Sequence, residues 1–355
     1  MSDGARTPAF VLGGTGYVSG ELLRLLAGHP RFELAGILSD SRAGGAIAAA
    51  FPHLQSVYAD GRFVDLEELE AMLRRAPQAA LFSAAPHGVA AAMIDRLLAS
   101  AQSAGARLHC VDISADFRYR SAAVYEAVYG HAHGAPARIA DFTCALPEHL
   151  ATSPTPHVAH PGCFATATLL AIAPLLGEGL TEGPLFASGV TGSTGSGRKP
   201  VEGTHHPQRH ADLYAYNPLR HRHVPEIIAC AEAATGITAD LRFVPHSGPF
   251  ARGIHLTVQA RLRKAMAAAE VRAVFAAYYA NRPFVRIVDG PPRMKDVVAS
   301  NYAHLGVAAD GASVAVMVVV DNLTKGAAGG AMQWMNRLFG FDERAGLLAP
   351  APAWT

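Results

Sequence analysis

The sequence predicts an α/β protein with three parts: an N-terminal doubly wound parallel sheet, a second α+β domain and a C-terminal helix. Short, continuous apolar runs alternate with helical patterns between residues 9 and 113, and strands of that kind are buried on both faces of a parallel sheet. Long β-branched strand patterns after residue 180 predict a mixed sheet in the second domain.

The elements of the first domain follow in regular order. The predicted strands are residues 9–12, 32–38, 79–84 and 108–113, and the predicted helices are residues 21–27, 66–75 and 87–101. A stretch rich in glycine, proline and histidine at residues 130–136 interrupts this alternation, because glycine and proline break helices and strands. We therefore place the first domain at residues 1–160.

The second domain, predicted at residues 161–330, begins with a helix at residues 163–176. Its predicted strands are residues 185–190, 241–244, 254–260 and 314–320. An open sheet leaves one face uncovered, and a second copy of the chain often covers such a face, so we expect a catalytic domain that also forms a homodimer or homotetramer. Residues 331–355 are expected to form a C-terminal helix and tail that return to the first domain.

Composition and charge exclude several partners. The 355 residues include 30 basic and 29 acidic side chains without a basic run, which argues against nucleic acid. No export signal or membrane-length apolar stretch is visible, so we expect a cytoplasmic protein with no membrane partner. The four cysteines, Cys110, Cys144, Cys163 and Cys230, are scattered and predict neither a zinc site nor a disulfide framework. The histidines at residues 204–210 lack a familiar zinc spacing, and we predict no metal.

A glycine-rich turn at residues 13–20 lies between the first predicted strand and the first helix. In that context the glycines allow a tight turn and a close backbone approach to a pyrophosphate at the helix N-terminus, as in a Rossmann-type domain. The alternative is a plain strand-helix turn. The predicted contacts are Gly13, Thr15, Gly16, Tyr17 and Val18.

The turn after the second strand indicates which dinucleotide binds. Arg42 and two serine hydroxyls, one of them from Ser39, suit a 2′-phosphate and favour NADP(H). Asp40 in the same turn keeps NAD as an alternative, since an acidic residue there suits an unphosphorylated ribose.

Cys163 follows a Pro-Gly turn and opens a long apolar helix pattern. A helix N-terminus favours the thiolate, which is the nucleophilic form of cysteine. A cysteine nucleophile beside a dinucleotide points to redox chemistry through a thioester, and the alternative is a buried structural cysteine. A segment with two histidines, His221 and His223, supplies candidate acid/base groups and an anion clamp, Arg222; its alternative is a polar capping turn.

Two further segments carry cations that suit an anionic substrate. Arg198 and Lys199 follow a Gly/Ser-rich loop, and Arg118 follows a strand end. The loop has a structural alternative as a mobile linker, and Arg118 as the partner of Asp116 in a salt bridge. A thiolate, a nicotinamide, imidazoles and arginines together suit the interconversion of an acyl phosphate and an aldehyde.

The chain resembles the N-acetyl-gamma-glutamyl-phosphate reductase family of arginine biosynthesis over nearly its whole length. The motifs that carry the resemblance include residues 13–21, 51–54, 86–88, 111–118, 146–148, 161–163, 195–198, 221–226, 252–253 and 321–329. The resemblance implies NADPH-dependent reduction of the acyl phosphate with Cys163 as the nucleophile and the acid/base in the pair His221 and His223. It implies that residues 322–326 approach the nicotinamide. Our substrate-binding candidates are Arg118, Arg198, Lys199, Arg209, Arg222 and Glu226, and the further cofactor-binding candidates are Ser193, Gly195, Asn322, Lys325 and Gly326.

The chain departs from the family pattern at Ser19, His160 and Ala165, none of which is a reacting group. Its longer segment at residues 199–217, which contains Arg209, is similar to reductases that act on carrier-linked aminoadipyl phosphate in lysine biosynthesis. The alternative substrate is therefore an aminoadipyl phosphate, and only that alternative adds an acidic carrier protein as a partner.

Overall fold

The computed structural model describes residues 6–353, and the chain divides into two compact units. Of the described residues, unit 1 contains 6–144, Thr152–His160 and Ala331–Leu347. Unit 2 contains Ala145–Ala151, Pro161–Gly330 and residues 348–353. Two predictions concern residues outside the described range. The expected lack of an export signal concerns residues 1–5, and the end of the predicted tail concerns residues 354–355.

Unit 1 is built on six parallel strands in the order β2-β1-β3-β4-β6-β5. The strands are β1 (Thr7–Leu12), β2 (Phe32–Ile37), β3 (Gln78–Ser83), β4 (Arg107–Asp112), β5 (Phe142–Cys144) and β6 (His157–Ala159). The helices are α1 (Tyr17–Ala27), α2 (Ile47–Ala50), α3 (Leu66–Arg75), α4 (Ala90–Ser103) and α5 (Ala122–Tyr129). This topology confirms the predicted doubly wound parallel sheet.

The strands of unit 1 form because their apolar runs are continuous. Phe10, Phe32 and Phe82 are each at most 1% exposed, as expected for strands covered on both faces. The observed elements differ from the prediction in several places. Strands β5 and β6 were not predicted, because three residues are too few to show a pattern, and helices α2 and α5 were not predicted either. Helix α1 begins at Tyr17, four residues earlier than predicted, and α4 begins at Ala90, three residues later.

Unit 2 contains a seven-stranded mixed sheet in the order β11-β12-β13-β10-β7-β9-β8. Its strands are β7 (Thr181–Thr191), β8 (Tyr214–Ala215), β9 (Leu241–Ser247), β10 (Ile254–Leu262), β11 (Val285–Ile287), β12 (Ala303–Asp310) and β13 (Ser313–Val320). Its helices are α6 (Cys163–Gly177), α7 (His206–Arg209), α8 (His223–Thr235) and α9 (Ala268–Tyr278). Helices α6, α8 and α9 pack against the sheet, which confirms the predicted α+β fold of the second domain. The last helix, α10 (Gly329–Leu338), leads from unit 2 into unit 1.

The register of unit 2 brings several strand ends to one edge of the sheet. Ile254 at the start of β10 pairs with Thr191 at the end of β7 and with Val320 at the end of β13. Thr191 also pairs with Ser247, the last residue of β9. The loops that leave these strands therefore start from a common edge, which we call the strand-end edge. Within residues 6–353, no helix has the length and apolar character needed to cross a bilayer.

Candidate active site

The glycine-rich turn of unit 1 has the close packing that a dinucleotide loop requires. Gly13 has a φ of +88°, and a Cβ atom there would lie 2.4 Å from the carbonyl oxygen of Ala84, so only glycine fits. The Ser19 hydroxyl donates to the Gly13 carbonyl at 2.6 Å, which fixes the turn where the family pattern has a third glycine. Gly16 caps α1 without a side-chain hydrogen bond. The first amides of α1, from Tyr17 and Val18, are thus placed for an anion.

The turn after β2 presents its polar groups to solvent. Asp40 and Arg42 are exposed, and the hydroxyls of Ser39 and Ser41 lie 3.5 Å apart. Within residues 6–353, Arg42 has no ion-pair partner. An exposed guanidinium beside two hydroxyls has the chemistry that a 2′-phosphate needs.

Arg118 is buried at the carboxyl ends of two parallel strands of unit 1. Its side chain is 7% exposed, Nε donates to the carbonyl of His160 at 3.0 Å, and Nη2 donates to the carbonyl of Ile113 at 2.7 Å. These bonds tie the end of β4 to the end of β6 and fix the guanidinium there. The predicted role of Arg118 as a substrate ligand stays a prediction.

In unit 2, Cys163 is the first residue of α6 at the strand-end edge. The helix cap is Gly162, in extended conformation and without a side-chain cap, so the first turn of α6 retains amides with no partner inside the helix. Cys163 is half-buried, and nearly all of the helix behind it is buried. The alternative of a buried structural cysteine does not describe this position.

Glu226 holds the turn that precedes Cys163. The Glu226 carboxylate is fully buried, and Oε1 accepts a hydrogen bond from the backbone N–H of Gly162 at 2.7 Å. Glu226 lies in the first turn of α8, where an acidic side chain is favoured by the helix dipole. The carboxylate therefore contacts the backbone next to Cys163, and the predicted contact of Glu226 with substrate stays a prediction.

His221 lies in an aromatic pocket next to the nucleophile. Its ring contacts Phe164, Tyr216, His223 and Phe243 at centroid distances of 5.9, 5.5, 4.6 and 5.4 Å, and Phe164 directly follows Cys163 in α6. Sequence reasoning missed this pocket, because an aromatic side chain in an apolar pattern carries no signal of its partners.

The protonation state of His221 follows from its surroundings. The backbone N–H of His223 donates to Nδ1 of His221 at 3.2 Å, so the proton of the neutral ring is on Nε2. Burial, followed by the nearby positive charge of Arg222, lowers the pKa of His221 to about 4. His221 is therefore a neutral Nε2–H donor near neutral pH. Burial, followed by the charge of the Cys163 thiolate, raises the pKa of Tyr216, so this phenol stays protonated.

Gly326 lies directly against the nucleophile. A Cβ atom at Gly326 would lie 2.6 Å from the Cβ of Cys163, so only glycine permits this contact. Gly326 belongs to the π-helical turn Thr324–Ala328, of a kind found frequently at functional sites.

Lys325, in the same turn, forms a buried ion pair. Its Nζ lies 2.6 Å from Oε1 of Glu148, and both side chains are fully buried. Because a buried ion pair is strongly destabilised when one partner is withdrawn, the pair anchors the turn that carries Gly326. The predicted contact of Lys325 with the cofactor stays a prediction.

The remaining candidates lie in loops at the strand-end edge or next to α8. Ser193 and Gly195 follow β7 in a short 3-10 turn. The side-chain amide of Asn322 donates to the Thr194 hydroxyl at 3.0 Å. The Oδ1 atom of Asn322 accepts from the Gly253 backbone N–H at 2.8 Å. Among the predicted substrate-binding cations, Arg198, Lys199 and Arg222 are exposed. Arg209, by contrast, is buried. Within residues 6–353, no three His, Cys, Asp or Glu side chains converge as metal ligands.

Two protein families match the chain. Residues 9–142 match the semialdehyde dehydrogenase NAD binding domain, and residues 163–322 match the semialdehyde dehydrogenase dimerisation domain. The second match begins at Cys163, the residue that heads α6.

Curated relatives match nearly the whole chain. The N-acetyl-gamma-glutamyl-phosphate reductase of Ectopseudomonas mendocina is 40% identical over 346 residues, which cover 95% of this chain and 96% of that protein. The enzymes of the same name from Methanopyrus kandleri and Acidithiobacillus ferrooxidans are each 39% identical, and each match covers 96% of this chain and 97% of the relative.

Solved structures share the fold at much lower identity. Aspartate semialdehyde dehydrogenase II from Vibrio cholerae, complexed with ASA, superposes with a TM-score of 0.68 at 16% identity, covering 95% of this chain and 98% of that chain. A probable aspartate-semialdehyde dehydrogenase from Pseudomonas aeruginosa gives 0.67 at 20% identity, with coverages of 95% and 99%. These likenesses confirm the predicted fold, with a parallel-sheet part, an α+β part and a C-terminal helix.

Proposed function

Because the chain belongs to the N-acetyl-gamma-glutamyl-phosphate reductase family, we propose that it reduces N-acetyl-gamma-glutamyl phosphate to N-acetylglutamate 5-semialdehyde and phosphate with NADPH. The proposal includes a place in arginine biosynthesis in the cytoplasm. The observation that carries it is Cys163 at the head of α6, with the preceding amide held by Glu226. The three relatives described above carry the glutamyl-phosphate name, and we do not propose the aminoadipyl substrate.

The cofactor would be held in unit 1 by the turn after β1 and by the turn after β2. The close packing at Gly13 and the amides of Tyr17 and Val18 suit a pyrophosphate, while Ser39 and Arg42 suit a 2′-phosphate. Gly16, Thr15 and the unit 2 residues Ser193, Gly195, Asn322 and Gly326 remain candidates for further contacts. When bound, NADPH would supply a hydride to the acyl carbon.

The chain's own part in the reaction begins with Cys163. The thiolate attacks the acyl carbon, the C–O bond to phosphate breaks, and a thioester forms on Sγ while phosphate leaves with the electron pair. After reduction, the resulting thiohemiacetal oxyanion collapses, the C–S bond breaks, and the aldehyde and the thiolate are released.

His221 would stabilise negative charge on the carbonyl oxygen at each of these steps. Because Nδ1 accepts the His223 amide, the neutral imidazole presents Nε2–H, which is a hydrogen-bond donor. We assign this role to His221 and assign His223 to positioning, since its backbone N–H fixes the His221 tautomer. Arg198, Lys199 and Arg222 remain candidates for binding the substrate's anionic groups.

The open face of the unit 2 sheet supports a homodimer as part of the proposal. Phe186 on β7 is 55% exposed in a strand whose alternate residues are buried. Exposed apolar side chains on a sheet face often mark a protein interface. A Phe186→Glu variant should elute as a monomer in size-exclusion chromatography, and an unchanged dimer would contradict this assignment.

Activity in the oxidative direction tests the function. The enzyme should sustain steady-state reduction of NADP+ only when N-acetylglutamate 5-semialdehyde and phosphate are both present, and N-acetyl-aminoadipate semialdehyde should be a poorer substrate. Cys163→Ser should abolish the reaction and Cys144→Ser, at a half-buried cysteine of unit 1, should not. Absence of NADP+ reduction in the wild type would overturn the proposal.

The cofactor assignment has its own test. Arg42→Ala should raise the KM for NADPH about tenfold, the cost of about one charge-assisted hydrogen bond, and leave the KM for NADH unchanged. Equal effects on both cofactors would contradict recognition of the 2′-phosphate.

A further inference from the structure

Arg209 carries a guanidinium that is buried but hydrogen-bonded on one side only. The residue is 8% exposed, and Nη1 donates to the carbonyl of Asp212 at 3.0 Å and of Ser247 at 3.5 Å. Among residues 6–353, no acceptor lies within hydrogen-bond distance of Nε or Nη2. Because an arginine side chain stays protonated in proteins, Arg209 brings a buried charge whose donors are half satisfied, which is costly unless a partner arrives.

The two unpaired donors are on the same edge of the group. Nε–H and one Nη2–H of a planar guanidinium point in parallel, and their spacing matches two oxygens of a carboxylate or a phosphate. The opposite end, Nη1, donates to the backbone. The central carbon of the guanidinium, Cζ, lies 5.9 Å from the Tyr214 ring centroid. The side chain is therefore held with its bidentate edge directed away from its anchors.

The location connects this edge with the nucleophile. Ser247, which accepts from Arg209, pairs with Thr191 at the strand-end edge of unit 2. The same strand, β9, carries Phe243, which contacts both Phe164 and His221. Arg209 therefore lies at the edge of the sheet where α6 begins.

We propose that the Nε/Nη2 edge of Arg209 binds an anionic group of the acyl-phosphate substrate, either its phosphate or its distal carboxylate. The proposal rests on the proposed function and adds the residue and the atoms that recognise the anion. It accounts for a buried cation that the protein alone leaves half satisfied.

Separate KM values for the two anionic reactants test the assignment. In the oxidative direction, Arg209→Lys and Arg209→Met should raise one KM by about 10- to 100-fold, the effect of losing a charged hydrogen-bonded contact. A rise in the KM for phosphate identifies the phosphate, and a rise in the KM for the semialdehyde identifies the carboxylate. The control is Arg242→Gln, which removes an exposed β9 guanidinium paired with Asp240. Losing a charged contact should change a KM by far more than about twofold. The proposal is overturned if both KM values of the Arg209 variants stay within about twofold of the wild-type values.

Thermal stability separates a ligand contact from a structural role. Removing a half-satisfied buried charge should leave the Tm of ligand-free Arg209→Met unchanged or raised, and added substrate anion should raise the Tm of the wild type more than that of the variant. A lowered Tm together with unchanged KM values would assign Arg209 to structure alone and refute the proposal.

Direct binding keeps this test independent of turnover. Inorganic phosphate and N-acetylglutamate are titrated calorimetrically into the wild type and into Arg209→Met. Binding of one anion by the wild type and its loss in the variant supports the site even if no semialdehyde is turned over. Equal affinities in the two proteins, or no binding to either, would overturn it.

Discussion

The Glu226 carboxylate accepts a hydrogen bond from the backbone N–H of Gly162 at 2.7 Å, so the first turn of α8 holds the residue that precedes Cys163. Both groups are buried, and this bond sets where the nucleophile begins its helix. Small misplacements of a reacting group can reduce rates about 100-fold. The contact therefore makes Glu226 a positioning residue with a predicted effect on kcat.

Glu226→Ala should lower kcat by about 10- to 100-fold with little change in KM, and should slow alkylation of Cys163 by iodoacetamide. Glu226→Gln retains an oxygen that accepts from Gly162 and should keep most of the activity. Glu232→Ala, at an exposed position on the same helix, is the control. Equal losses in the Ala and Gln variants would show that the carboxylate has a different role.

His221 gives a prediction that separates a donor from a base. His221→Gln retains an N–H near the position of Nε2 and should keep part of the activity, whereas His221→Ala should lose about 100- to 1000-fold in kcat, as for an oxyanion donor. Because burial lowers the pKa of His221 to about 4, its protonation should not affect the rate at pH 6 to 8. If Gln and Ala are equally inactive and an acid limb appears near pH 6.5, His221 acts as a base.

Gly326→Ala should displace the nucleophile by direct contact. The added methyl group would lie 2.6 Å from the Cβ of Cys163, below any ordinary contact distance, so the turn or α6 must shift. We expect a loss of about 100-fold in kcat with a retained far-UV circular dichroism spectrum. Gly177→Ala is the control, because a Cβ there meets its nearest neighbour at 3.6 Å. Full activity in Gly326→Ala would refute the close approach.

His29 predicts how the stability of unit 1 depends on pH. Its Nδ1 accepts the Phe32 amide at 2.9 Å, and its Nε2 lies 3.0 Å from Oδ1 of Asn336 on α10. Burial lowers the pKa of His29 to about 4, so the unfolded chain binds the proton more readily. The stabilisation is present above pH 6.5 and is lost as the pH falls toward 4, by at most about 1.4 kcal/mol per pH unit.

Urea unfolding at pH 6.5 and pH 5 checks this sign. The free energy of unfolding of the wild type should fall more between the two pH values than that of His29→Gln. An equal fall in the two proteins would show that His29 does not contribute to the acid sensitivity.

The sequence predicted the fold class correctly because apolar runs and strand-helix alternation are local patterns. Strands β5 and β6 escaped prediction because three-residue strands depend on their neighbours in the sheet. The resemblance drawn from the motifs is confirmed by relatives about 40% identical over 95% of the chain. Roles of individual charged residues were harder to predict.

Charged residues in a motif suggest binding, which is why the sequence predicted ligand contacts for Arg118, Glu226 and Lys325. The contacts that these side chains make within the protein could not be predicted. Partners that lie far apart in sequence, such as Glu148 for Lys325, leave no local signal. The approach of Gly326 to Cys163 was also invisible, since a glycine shows no preference for the element that it contacts.

The central claim is a covalent thioester on Cys163, and a pre-steady-state burst without phosphate tests it most directly. Enzyme mixed with NADP+ and N-acetylglutamate 5-semialdehyde should form one NADPH per active site and then stop until phosphate is added. Mass spectrometry of the quenched protein should locate the acyl group on the peptide that contains Cys163. A burst that persists in Cys163→Ser, or an acyl group on another residue, would contradict the mechanism.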